Sequence, residues 1–157
     1  MAVHQCVLIP GDGIGPEVSD AVLKVFESAK APVRFETHYA GQSAIDRGFT
    51  DTLPDETTEA IRRCHVALKG PCGTPIGKGF SSVNVALRRK LNLYAAVRPV
   101  RSLKGVKTRF EDVDLVVVRE NTEGLYSGIE NLITDGVVVS MKVATRIACH
   151  RIALWTF

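Results

Sequence analysis

The densest chemistry in the chain is Arg119-Glu120-Asn121-Thr122-Glu123, five consecutive polar residues followed by Gly124 and then Tyr126. They come directly after Leu115 to Val118, a short apolar run, mostly β-branched and too brief for a helix. That run reads as a strand buried on both faces. A buried strand ending in polar chemistry, a glycine and a tyrosine is a common way for an α/β protein to present a site at a strand's carboxyl end. A second cluster is Asn84 and Arg88, four residues apart on a predicted helix, with Ser82 at the same end. A net charge of +3 with scattered basic residues suits an anionic small-molecule ligand at least as well as nucleic acid. By themselves the residues after Val118 also fit a solvated loop with one half-buried tyrosine.

Other chemistries are poorly supported. Gly11-Asp12-Gly13-Ile14-Gly15-Pro16 looks like a dinucleotide fingerprint but carries proline where the third glycine belongs. Gly77-Lys78 looks like a P-loop, yet Cys72 replaces its first glycine and Gly79 its Ser or Thr. Cys6, Cys64, Cys72 and Cys149 form no C-x-x-C pair and no metal spacing, so they read as reduced thiols in a reducing compartment. His4, His38, His65 and His150 lack partners at useful spacing. No arginine-rich tract or aromatic-basic interleaving points to nucleic acid. No signal-type start and no membrane-length apolar run is present, so the expectation is a soluble, cytoplasmic protein.

The elements that must position these residues follow from periodicity. Cys6 to Pro10 reads as a first buried strand, and Pro16 suits the first turn of a helix. Val18, Ala21, Val22, Val25, Phe26 and Ala29 give that helix one apolar stripe. Val33 to Tyr39 alternates as a half-buried strand, Pro54 opens a helix to about Arg63, and His65 to Lys69 is another strand. Ser81-Ser82 can cap a helix carrying Val83, Ala86, Leu87 and Leu91. Tyr94 to Val100 and the run from Val137 to Met141 are further strands. From about Thr145 the chain turns helical and reaches Phe157 without a closing Gly, Asn or Pro, which points to a cut end.

Several of these strings resemble one family. Arg119 to Gly128 resembles the RENTEGLYSG motif of the β-decarboxylating dehydrogenases, the isocitrate/isopropylmalate dehydrogenase family, and of its isocitrate branch in particular. Gly11 to Val18 resembles the family's GDGIGPEV opening, and Lys69-Gly70-Pro71 with Thr74-Pro75 its KGP…TP segment. Ser81 to Val100 resembles its substrate-binding helix and strand. The resemblance covers essentially the whole chain and roughly the front half of the family's usual length. It implies an α/β fold with a non-Rossmann nucleotide site, here truncated. Residues 1–100 would be the N-terminal part of the large domain, and 101–157 the start of an incomplete smaller substrate and dimerisation domain.

The implied activity is oxidative decarboxylation of isocitrate to 2-oxoglutarate in the tricarboxylic acid cycle. NAD is the expected cofactor with NADP as the alternative, and Mg²⁺ or Mn²⁺ the metal, its ligands absent from this chain. Arg88, Arg98 and Arg119 match the substrate arginines, whose planar forks hold carboxylates. Ser82 and Asn84 match polar substrate contacts, and Lys69 a lysine approaching the substrate. Thr74 and Asn84 match positions at the nicotinamide cofactor, and Tyr126 matches the proton donor. The expected partners are a tricarboxylate and either a second copy, as a homo-oligomer such as a dimer, or a full-length relative, with neither nucleic acid nor membrane. A eukaryotic version would sit in the mitochondrial matrix. Isopropylmalate, homoisocitrate and tartrate are alternative substrates. A non-catalytic tricarboxylate-binding or regulatory module is the alternative class, and the chain alone is expected to be inactive.

Overall fold

The computed structural model describes residues 3–73 and 82–157. The chain divides into two compact units, Met1–Leu91 and Asn92–Phe157.

The first unit is built on a three-stranded parallel sheet, in the order β2-β1-β3, formed by β1 (His4–Ile9), β2 (Val33–Thr37) and β3 (Ala67–Lys69). The apolar run of β1 becomes the central strand, with Cys6 beside Phe35 on one edge and Val7 beside Ala67 on the other. Val7 and Ile9 are fully buried and Cys6 and Leu8 nearly so, as expected for a parallel strand covered on both faces. Helix α1 (Gly15–Ser28), the short α2 (Gln42–Ile45), α3 (Asp55–Cys64) and α4 (Val83–Lys90) complete the unit. Ala60 of α3 and Val83 and Leu87 of α4 join Val7, Ile9, Ala40 and Leu53 in the core. Helix α3 places Asp55 and Glu56 in its first turn and Arg62 and Arg63 in its last, the arrangement that complements the helix dipole.

Helix α1 does not bury the stripe that its spacing suggests. Phe26 stacks edge-on against Phe35, ring centroids 5.3 Å apart, but Val18 and Val25 are 48% and 66% exposed. The buried positions of α1 are Gly15 and Ser19, because this helix approaches the sheet through its small residues. Its entry turn is tied to the rest of the unit. Gly11 has φ +82, and a Cβ there would fall onto the Pro71 carbonyl oxygen. The Asp12 N–H donates to that same oxygen at 2.6 Å, and its carboxylate accepts from the backbone N–H groups of Gln42, Ser43 and Gly73.

The second unit holds two antiparallel pairs, β4 (Ala95–Arg101) with β5 (Asp114–Glu120), and β6 (Gly124–Thr134) with β7 (Val137–Val143). Helix α5 (Arg146–Thr156) follows, its first turn capped by the Thr145 hydroxyl, which accepts from the Ala148 N–H. The predicted strand at Leu115 to Val118 is present in β5, but it is not buried on both faces. Leu115, Val116 and Val117 are 46–56% exposed, because β5 has a single strand neighbour here and pairs with it antiparallel. Strand β6 begins directly after the polar segment and carries Tyr126, so the alternative of a solvated loop ends at Glu123. Trp155 and Phe157 are exposed at the end of α5. Among the described residues no helix is long and apolar enough to cross a membrane.

Candidate functional site

The polar segment between β5 and β6 is a tight turn wound around one carboxylate. Glu120 accepts from the Thr122 and Glu123 backbone N–H groups at 2.8 Å each and from the Thr122 hydroxyl. Arg151 of α5 donates to it from behind at 3.0 Å. Burial pushes the Glu120 carboxyl up, but the Thr122 hydroxyl, the two N–H groups and the Arg151 guanidinium outweigh it and hold it below the ordinary range. Asn121 is buried, its N–H on the Tyr94 carbonyl. Glu123 caps the start of α5, accepting from the Thr145 N–H at 2.7 Å and the Thr145 hydroxyl at 2.6 Å.

This turn sets Arg119 and Tyr126 beside one another. The Arg119 guanidinium donates to the Tyr126 hydroxyl at 3.1 Å and lies 5.5 Å from its ring centroid. Both line a cavity of about 470 Å³, whose other wall includes Lys142, Ala148 and Ile152. Strand register adds a second cation to the same side of the β4–β5 pair. Ala96 lies opposite Arg119 and Arg98 opposite Val117, so the two arginines share a face as diagonal neighbours. A guanidinium pair beside a phenol can hold a carboxylate by charge-assisted hydrogen bonds and deliver a proton next to it.

In the first unit, Ser82 occupies the N-cap position of α4, but its side chain makes no capping hydrogen bond. The predicted cap is therefore a position without the bond, Ser82 having the extended backbone of an N-cap while its hydroxyl is not turned onto the helix. Asn84 is exposed in the first turn of α4, and Arg88 follows on the same side in its last turn, so these residues lie along one side of a short helix rather than at one end of it. Lys69 closes β3 with its ammonium on the Gly70 carbonyl at 2.6 Å and 3.8 Å from the Cys72 sulfur. Burial raises the Cys72 thiol, against the pull of Lys69 and with a push from Asp12. Thr74, Ser81 and Gly77-Lys78 lie outside the described residues.

Lys142 and Arg151 carry no local signal in the sequence, and Glu123 none beyond its place in the polar run. Lys142 alternates within an ordinary strand, and the partners of Glu123 and Arg151 lie 22 to 59 residues away, beyond any local spacing. Among the described residues no group of three or more His, Cys, Asp or Glu could hold a metal ion. The described part of the chain therefore does not fit a divalent-metal site, and no step is routed through one. Asn84 offers an exposed amide that fits a hydrogen-bonding role toward a nicotinamide cofactor.

Residues 5–157 match the family described as isocitrate/isopropylmalate dehydrogenase. The chain is 53% identical to isocitrate dehydrogenase (NAD) catalytic subunit 5, mitochondrial, of Arabidopsis thaliana, over 96% of this chain and 40% of that protein. It is 50% identical to the chloroplastic 3-isopropylmalate dehydrogenase of Solanum tuberosum, over 98% of this chain and 43% of that one. The crystal structure of isocitrate dehydrogenase from Methylococcus capsulatus superposes with a TM-score of 0.86 at 48% identity, covering 98% of this chain and 46% of that one. The chain thus spans about two fifths of the length of the curated relatives it matches. It belongs to the isocitrate/isopropylmalate dehydrogenase family.

Proposed function

We propose that this chain supplies the first part of an NAD-dependent isocitrate dehydrogenase, which oxidises isocitrate and releases CO₂ to give 2-oxoglutarate. The observation that carries the reading is the Arg119–Tyr126 pair, a guanidinium on a phenol oxygen at the wall of a cavity. Arg119 and Arg98 bind substrate carboxylate through their forks. Tyr126 gives its proton to the carbon of the enolate that decarboxylation leaves, and the negative charge passes to the phenol oxygen, beside the Arg119 cation. Ser82, Asn84, Arg88 and Lys69 are substrate contacts, and Asn84 with Thr74 meets the cofactor. NAD, when bound, supplies the hydride acceptor. Residues 1–100 form part of the large domain and 101–157 begin the smaller one. The division between Leu91 and Asn92 supports a two-part organisation and groups β4 with the later strands.

The whole enzyme acts as an oligomer, in the mitochondrial matrix of a eukaryote or the cytoplasm of a bacterium. The names of several relatives, among them the mitochondrial alpha subunit of Bos taurus, support a mitochondrial placement in a eukaryote. Isopropylmalate is the second reading, favoured by the 50% identity to the Solanum tuberosum enzyme. Thermal protection of the chain separates the two. Isocitrate should raise its melting temperature more than isopropylmalate does, because a third carboxylate suits the arginines and Ser82 better than an isopropyl group. Equal protection by both overturns the isocitrate assignment.

A further inference from the structure

We propose that Arg151 is a positioning residue that holds Arg119 and Tyr126 in register across the turn between β5 and β6. The proposal rests on the dehydrogenase reading only for the use to which that pair is put.

Arg151 is the point where three segments of the second unit meet. Its guanidinium donates to Glu120, to the Thr122 hydroxyl and to the Asn92 side-chain oxygen, and it lies over the Tyr94 ring at 4.6 Å. Successive strand residues face opposite ways, so a grip on Glu120 holds the end of β5 from the side away from Arg119. Thr122 lies two residues before β6 begins, so the same guanidinium also fixes where the chain leaves the turn toward Tyr126. The side chain is largely covered, 28% exposed, and its Nε is buried without a hydrogen-bond partner. A donor is left unmet here while Nη2 is directed at the turn and Nη1 at Asn92, the pattern of a side chain oriented for what it holds. Without Arg151 the turn keeps its own bonds around Glu120, its Glu123 tie to Thr145 and the Asn121 N–H on the Tyr94 carbonyl, so it survives locally but loses its link to the middle of α5 and to Asn92.

The test is made on the full 157-residue chain with ring-labelled tyrosine, the Tyr126 resonance being identified with Tyr126→Phe. Arg119→Ala defines the displacement of that resonance when the pair is broken. Arg151→Gln is expected to give at least half of that displacement, whereas Arg101→Gln, which breaks an ion pair at the far end of β5, gives less. A smaller displacement in Arg151→Gln than this overturns the proposal. If Arg151→Gln unfolds, the same criterion is applied to Arg151→Lys, which keeps a charge near Glu120 but cannot span Glu120, Thr122 and Asn92 together. Unfolding of both variants also overturns it, since a purely structural role is then sufficient. No substrate is present in the measurement, so its failure leaves the dehydrogenase reading standing, and a failure of isocitrate to protect the chain leaves this result untouched.

Discussion

Arg119 and Tyr126 meet at 3.1 Å although one closes β5 and the other lies near the start of β6, in a different sheet. The contact needs a turn of fixed shape between two strands that do not pair. That gives the pair a testable signature. Arg119→Gln keeps a donor near the phenol but removes the charge. In the assembled enzyme it should lower kcat/KM for isocitrate about 10²-fold or more, the scale for losing one donor at a developing charge. Tyr126→Phe should instead lower kcat about 10²–10⁴-fold with little change in KM, as for the loss of a general acid. Steady-state NADH formation reads both. A Tyr126→Phe enzyme with unaltered kcat would remove the phenol from the chemistry.

What could be read from the residues divides along physical lines. The run from Cys6 to Pro10 reads as a buried strand and β1 is one, its partners β2 and β3 flanking it on both edges. The run from Leu115 to Val118 has the same composition and also forms a strand, but composition cannot report how many neighbours a strand will have. Strand β5 has one, and its Val116 and Val117 stay exposed. The α1 stripe misled for a related reason. Apolar spacing marks a face, whereas Gly15 and Ser19, small enough for close approach, decide which face is buried. Ser82, Asn84 and Arg88 were legible as residues of one helix and its entry through helical spacing, with Arg88 in the last turn. The grip of Arg151 on Glu120 was not, since 31 residues separate them and only the fold closes that distance.

Leu87 and Val25 make a paired stability test of the first unit. Leu87 is 7% exposed in the core and Val25 66% exposed on α1. Leu87→Ala is expected to destabilise by about 2–5 kcal/mol, the range for emptying a core leucine site. Val25→Ala should stay within about 0.5 kcal/mol. Urea unfolding followed by circular dichroism measures both. A Val25 cost equal to that of Leu87 would mean that the apolar stripe of α1 is the packed face after all.

Ser82 offers a test in charge. Its side chain makes no capping bond, so adding a negative charge there breaks no such bond and should leave the fold intact. An anion at a helix N-terminus is favourable to the helix. Toward a tricarboxylate it is repulsive, so Ser82→Asp should weaken isocitrate binding about 10-fold or more, a cost of about 1.4 kcal/mol. Calorimetric titration of the assembled enzyme gives the affinity, with the melting temperature as a control. Unchanged affinity would take Ser82 out of the substrate site.

Glu120 predicts how the second unit responds to acid. Its carboxyl is held below the ordinary range by hydrogen bonds that win over its burial, so its native form is the charged one. A carboxyl depressed in the folded state adds stability that is present above its unfolded pKa and is lost as pH falls through the folded value. Wild-type chain should therefore exceed Glu120→Gln in stability at neutral pH. The gap should shrink as pH falls from the ordinary glutamate range toward more acidic values, and it should not change between neutral and mildly alkaline pH. Glu36 and Asp55 are also lowered, by their hydrogen bonds to Arg63 and Lys90, but both are left unchanged in the comparison. Urea midpoints for the two chains across that range give the gap directly. A gap that stays constant into acid would mean that the carboxylate charge does not hold the turn, and that the Arg151 contact is incidental to it.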